Sequence, residues 1–232
     1  MPLFVTSTSS VNRHGAFAIA RTPPSVIRAR GTGVVALVGQ FPWGPMQEIY
    51  EPATPGEAIN TLAPRGMTRT GSAYLSLIKK AWPVLRIVRV VGAGAVKATR
   101  TLSNVVPTVI VTLTAKYEGT QGNSITATVA DASDADANHF NLTIAITGAS
   151  GTTTELYENL NYSGVGTEST PTFTDRVLLG AIAKNASGRP LNGASTFGSG
   201  TSPAVISSDY VGTAGAPDTG ISLLEGDTAI RQ

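Results

Sequence analysis

Cysteine is absent from this chain, which excludes disulfides, thiolate metal sites and cysteine nucleophiles and leaves packing to hold the fold together. Histidine is nearly absent. The two present are His14 and His139, and no pattern sets an imidazole beside a serine or carboxylate as nucleophilic catalysis requires. Charged residues make up only 14% of the chain, against about 25% in ordinary soluble domains. The 17 basic residues never gather into a run of five or six, so the net charge of +2 gives little support to nucleic-acid capture. No stretch approaches the eighteen apolar residues of a membrane-crossing helix, and the first residues lack the basic start and long apolar run of a secretory signal. The expectation is folding in the cytoplasm, with no nucleic-acid partner and no membrane insertion.

What the chain does have is threonine, serine, glycine and alanine, with 41% hydrophobic residues over 232 positions. That is enough for one large or two small domains. A neutral polar surface repels copies of itself weakly and suits assembly. Residues 1–30 stand apart. Short apolar pieces (Leu3-Phe4-Val5, Ala16–Ala20, Val26-Ile27) alternate with Ser, Thr, Pro and four arginines, Arg13, Arg21, Arg28 and Arg30, without one acidic residue. Such a segment fits an extended arm that completes a sheet on another chain and seeks an acidic surface there. A strand or two on its own domain with a frayed end fits the composition equally. The residues that would make an inter-subunit arm are Leu3, Phe4, Val5, Phe17, Ile19, Arg21, Val26, Ile27 and Arg28.

The unbroken run Val34–Val38 between Gly33 and Gly39 reads as a central strand buried on both faces, stopped by Pro42, Gly44 and Pro45. Glu48–Glu51 reads as a short edge strand. Thr54 as cap, Pro55 at the first helical position and Glu57 three residues after the cap then open a short helix that buries Ala58, Ile59 and Leu62. An amphipathic helix is expected over 72–82, with Ala73, Tyr74, Leu77, Ile78 and Ala81 on one face, before a strand from Val84 to Val91 in which Arg86 and Arg89 interrupt opposite faces. The order strand, helices, strand predicts parallel strands joined by a crossover.

From 95 to 162 the chain reads as Thr- and Val-rich strands at 95–102, 108–116, 123–131, 139–147 and 152–158, a small antiparallel sandwich or barrel. Thr172, Asp175, Val177, Leu178, Ala181 and Ile182 suggest a returning helix. Residues 186–220 suggest a long irregular connection, and Ile221 the start of another helix. The fold class is therefore α+β: a mixed α/β portion carrying an inserted β-sandwich or barrel and an extended N-terminal arm. Its parts are 1–30 as arm, 31–94 as the first mixed segment, 95–165 as the insert, and 166–232 as return helix, linker and the start of a larger α/β domain.

Motifs for chemistry fail on inspection. Gly92-Ala-Gly94 follows a strand, but Lys97 holds the sixth position of a dinucleotide loop and no helix follows. Asp134, Asp136 and Asn138 have the opening spacing of a calcium loop, yet His139 replaces its glycine and Ala145 its bidentate glutamate. Neither Tyr117-Glu118 nor Tyr157-Glu158 shows a partner that would raise a carboxylate pKa. No enzyme activity, metal or cofactor is expected.

Three stretches nevertheless point to a family: Val34–Gly39 with Trp43-Gly44-Pro45, then Leu85–Val90, and above all Ala115-Lys-Tyr-Glu-Gly-Thr-Gln-Gly-Asn-Ser-Ile125. They resemble the tail sheath proteins of contractile bacteriophages and related injection systems, whose sandwich domain opens on Ala-Lys-Tyr-x-Gly-x-x-Gly-Asn-x-Ile. Phe197–Gly200, Ser208–Tyr210 and Gly220–Leu224 add a weaker match to the lead-in of the family's large α/β domain. The resemblance implies the N-terminal portion of a virion subunit, assembled in the bacterial cytoplasm and polymerised as stacked hexameric rings around a tail tube. Contraction would drive that tube through the envelope. Implied partners are neighbouring sheath subunits through terminal arms, the tail tube protein, and baseplate and tail terminator proteins. A glycan- or surface-binding β-rich module of a virion or secreted particle is the alternative.

Overall fold

A computed structural model describes residues 34–68, 84–213 and 219–225. The proposed arm and the helix expected over 72–82 lie outside those residues. The apolar run forms β1 (Val34–Gly39), Glu48–Glu51 contributes β2 (Ile49–Tyr50), and β3 spans Val84–Arg89. They make one sheet in the order β1-β3-β2, with β1 parallel to β3 from Val34↔Val84 to Gly39↔Arg89 and β2 antiparallel to β3. The parallel pair agrees with the sequence pattern; the place of β1 does not. Among the described residues β1 is an edge strand with Ala36 exposed, and β3 holds the centre. A continuous apolar run fits either place, because half-burial and full burial leave the same signature when no charge interrupts the run.

Helix α1 (Pro55–Leu62) begins as expected, with Thr54 Oγ1 accepting from the Glu57 amide. The Glu57 carboxylate returns its bond to Ala53 N–H, one residue ahead of the cap. Ala58 and Leu62 pack with Ile59, Val35, Leu37, Leu85 and Ile87 into a small core on one face of the sheet.

The remaining strands are β4 (Lys97–Ser103), β5 (Val109–Glu118), β6 (Thr126–Asp131), β7 (His139–Gly148), β8 (Gly151–Asn161), β9 (Leu179–Lys184) and β10 (Gly193–Thr196). They form two antiparallel sheets, β4-β5-β9 and β10-β6-β7-β8. Alternation drives their burial: Phe140, Leu142, Ile144 and Ile146 of β7 point inward, and the residues between them are half-buried. Leu113 and Ala115 of one sheet share a core with Ala127, Val129 and the β7 residues of the other.

Two expectations are corrected. The returning helix over 172–182 is a turn followed by β9, and the irregular connection over 186–220 contains β10 and a short helix α2 (Ser207–Val211). Both sheets are thus completed by strands from beyond residue 165, the boundary the sequence suggested. The partners are long-range: Leu113 pairs with Ile182 and Thr128 with Ala194, which no local pattern encodes. The turn of helix beginning near Ile221 is present as α3 (Ser222–Glu225).

Candidate functional site

The two portions of the molecule meet at a joint built around Trp43, Met67 and Arg89, all buried. The turn after β1 sends Trp43 into the core of the larger portion, where it is fully buried. Its indole Nε1 donates to the Val177 carbonyl at 2.5 Å, and its ring meets Tyr117 edge-on at 5.6 Å between centroids. Met67, after α1, enters the same core, and the adjoining loop is tied to β8 and to the turn after β5 through Thr153 Oγ1 to Arg65 O and Thr68 N to Gln121 Oε1.

Arg89 ends β3 inside the protein, 3% exposed. Its Nε donates to Phe41 O at 3.1 Å, Nη1 to Gly44 O at 2.8 Å and Nη2 to Glu118 O at 2.8 Å. One guanidinium therefore holds the turn after β1 against the end of β5. Burial lowers its pKa to about 10, with Glu118 and Tyr117 pulling the other way, so it stays charged at neutral pH. The sequence marked Arg89 only as an interruption of an apolar face; its fork of donors is what three convergent carbonyls require.

The turn ahead of β9 is held from both sides. Lys116 Nζ donates to the carbonyls of Phe173 and Thr174, each at 3.2 Å, and to that of Arg176; burial lowers its pKa, opposed by Glu155 and Asp175. Glu155, 4% exposed, accepts from the amides of Val177, Leu178 and Leu179 at 2.6, 2.7 and 3.1 Å and from Tyr157 Oη at 3.1 Å. Four donors fill the four lone-pair positions of a carboxylate. Burial first, then the neighbouring carboxylate, pushes the Tyr157 phenol well above its ordinary range. Sequence reasoning passed over Glu155, although its place between Thr153 and Tyr157 on the inward face of an alternating strand was a usable signal.

The stretch Ala115–Ile125 supplies most of this joint. Ala115 and Ile125 are core residues, Lys116 and Tyr117 make the contacts above, and Gly119 sits at φ +130, a conformation natural only to glycine. Gly122 lies under Trp43, where a Cβ would come 2.8 Å from that of Ala98. Asn123 makes a paired bond with Gly200, Nδ2 to O at 2.9 Å and N to Oδ1 at 2.7 Å. Every unusual residue of the motif thus has a packing or hydrogen-bonding reason.

The chemistry available here is mechanical. The guanidinium is bound by three backbone carbonyls and the carboxylate by three amides and a phenol, and both are buried, turned away from solvent. The Gly92–Gly94 loop borders an open cavity of about 320 Å³ with Ser208, Asp209 and Gly220, but a Cβ at Gly92 would fall 2.6 Å from the carbonyl oxygens of Pro203 and Ala204, where a phosphate cradle would present amides. Asp134 bonds His139 Nδ1 at 2.6 Å and the Asp136 amide at 3.1 Å, while Asp136 caps Asn138. The carboxylates of that loop thus serve its own turn, and the bond to Asp134 raises the His139 pKa. Among the described residues no three His, Asp or Glu side chains gather as metal ligands, and no helix is long and apolar enough to cross a membrane. The arm residues Leu3, Phe4, Val5, Phe17, Ile19, Arg21, Val26, Ile27 and Arg28 lie outside the described residues.

No protein-family model matches the chain, and no curated protein does. Among solved structures it is similar to the sheath tail protein Lin1278 from Listeria innocua, with a TM-score of 0.54 and 21% identity over 79% of this chain and 37% of that one. It is also similar to the sheath tail protein DSY3957 from Desulfitobacterium hafniense, with a TM-score of 0.54 and 17% identity over 85% of this chain and 41% of that one. The chain spans about two fifths of the length of the sheath tail proteins it matches, and the likeness is one of fold.

Proposed function

We propose that this chain is a structural subunit of a contractile tail sheath, without enzymatic activity of its own. The observation that carries this reading is the sheath-type fold together with the Ala115–Ile125 motif, whose Tyr117, Glu118, Gln121 and Gly122 meet the smaller portion at the joint. The subunits stack as hexameric rings around a tail tube, and contraction moves the tube through a bacterial envelope. Neighbouring subunits, the tail tube protein, and baseplate and tail terminator proteins are the partners; the particle is a virion tail assembled in the host cytoplasm. The two sheets form a sandwich inserted into the mixed portion and extended at its C-terminal side by β9 and β10. Residues 1–30 form the arm that links subunits, through Leu3, Phe4, Val5, Phe17, Ile19, Arg21, Val26, Ile27 and Arg28.

Electron microscopy tests the assignment. The intact chain in its full-length context forms sheath-like tubes or rings, and deletion of 1–30 abolishes them while leaving the unfolding midpoint of the body unchanged. Normal tubes from the deleted protein would refute the arm. The alternative of a glycan-binding module requires exposed aromatic rings, and among the described residues the large exposed hydrophobics are all Val, Leu or Ile.

A further inference from the structure

A covalent weak point of the chain coincides with a charged clamp. Asn192-Gly193 is its single Asn-Gly step, and every other asparagine precedes a residue that carries a side chain. With no Cβ on the following residue, the backbone nitrogen of Gly193 is the least shielded from the preceding amide. The fold puts this step at the first pair of β10, Gly193 opposite Val129 of β6. A Cβ built on Gly193 would meet nothing within 4 Å, and Asn192 and Gly193 border an open cavity of about 300 Å³. Ring closure between the two residues therefore has both room and water.

The Asn192 amide is also gripped at both ends. Arg189 Nη2 donates to its Oδ1 at 2.6 Å, and its Nδ2 donates to Asp131 Oδ1 at 2.8 Å. The same Nη2 bonds Asp131 at 2.5 Å. The bonds from Asn192 and then Arg189 hold the Asp131 carboxyl below the usual carboxylate range. The loop is pinned on either side of the arginine, by Gly188 N to Tyr162 O and Leu191 N to Ser103 O, each at 2.9 Å. The guanidinium draws electron density from Cγ and stands where negative charge on Oδ1 would develop.

We propose that Asn192 is a self-modification site, at which conversion of the amide to an acid, promoted by Arg189, loosens β10 from β6. The Gly193 nitrogen attacks Asn192 Cγ. A bond forms between them, the bond from Cγ to Nδ2 breaks, and the Gly193 amide proton departs with Nδ2 as ammonia. Water then opens the succinimide at one of its two carbonyls, giving aspartate or isoaspartate, with no change of oxidation state. In both products the donor to Asp131 is gone and a second carboxylate stands beside it. Isoaspartate also routes the main chain through Cβ and Cγ. That lengthens the path between Leu191, held by Ser103, and Gly193, paired with Val129.

Peptide mass spectrometry tests the chemistry. Full chains are held folded at mildly alkaline pH over weeks and digested, with an isoaspartyl methyltransferase labelling the iso product. The acid accumulates first at Asn192, and Arg189→Gln slows it about threefold, the scale of a partly exposed charge contact. In urea the two chains convert at the same rate, because the contact is gone. Equal rates in the folded chains, faster conversion in Arg189→Gln, or earlier conversion at another asparagine overturns the proposal. Hydrogen exchange reads the consequence for β10. The aged fraction, separated by charge, and a directly prepared Asn192→Asp chain both exchange the amides of 193–196 at least about threefold faster than the fresh chain, with β7 unchanged. Unaltered exchange at 193–196 in both samples would remove the loosening.

Discussion

A carboxylate as buried as Glu155 survives because the chain delivers four donors to it, three of them consecutive backbone amides. An amide side chain cannot replace it: Gln offers one acceptor oxygen and turns an NH2 group toward amides that are themselves donors. Glu155→Gln is expected to cost about 2–4 kcal/mol in urea denaturation, while Glu158→Gln, exposed on the same strand, stays within about 0.5 kcal/mol. At this scale the sequence is readable where a charge breaks an alternation, as at Arg89 and Glu155. It is silent on what the charge meets. Arg89 finds carbonyls 45 and 48 residues upstream and 29 downstream, and no local pattern reports such distances.

The segment before β9 shows the same limit for an element. Thr172 and Asp175 have cap spacing and the following apolar residues have helical spacing, but the carbonyls a helix would use are taken by Lys116 and the amides by Glu155. Tertiary partners outbid the local preference, and β9 pairs with the free edge of β5 instead. Gly180 discriminates the two outcomes by sign. A Cβ there would stand 2.7 Å from Lys116 Cα, so Gly180→Ala destabilises the strand by about 1–3 kcal/mol, whereas in a helix the same change would stabilise by about 1 kcal/mol. Thermal or urea unfolding gives the sign directly. The strands from β5 to β8 were legible because buried and less buried residues alternate along much of each, most regularly over His139–Ile146 of β7. The four residues of β10, among Gly, Ser and Thr, were too few and too polar to declare themselves.

For the whole molecule, the joint decides whether the two portions behave as one body. Trp43, Met67 and Arg89 all reach from the smaller portion into or against the larger. Arg89→Met leaves three carbonyls without their donor, and a loss of about 3 kcal/mol or more is expected. Because that loss falls on the contact between portions, denaturation followed by Trp fluorescence and by far-UV circular dichroism separates into two transitions in the variant and coincides in the parent. A single coincident transition in both would mean that the portions are held together elsewhere.

The parallel register of β1 and β3 has a further consequence. Residues preceding Val34 enter β1 at one end, while β3 is anchored through Arg89 at the opposite end. Tension arriving along the N-terminal segment and resisted at the joint would therefore run along the strand axis. It would strain all six register pairs in shear at once, where an antiparallel hairpin pulled from its open end would peel one pair at a time.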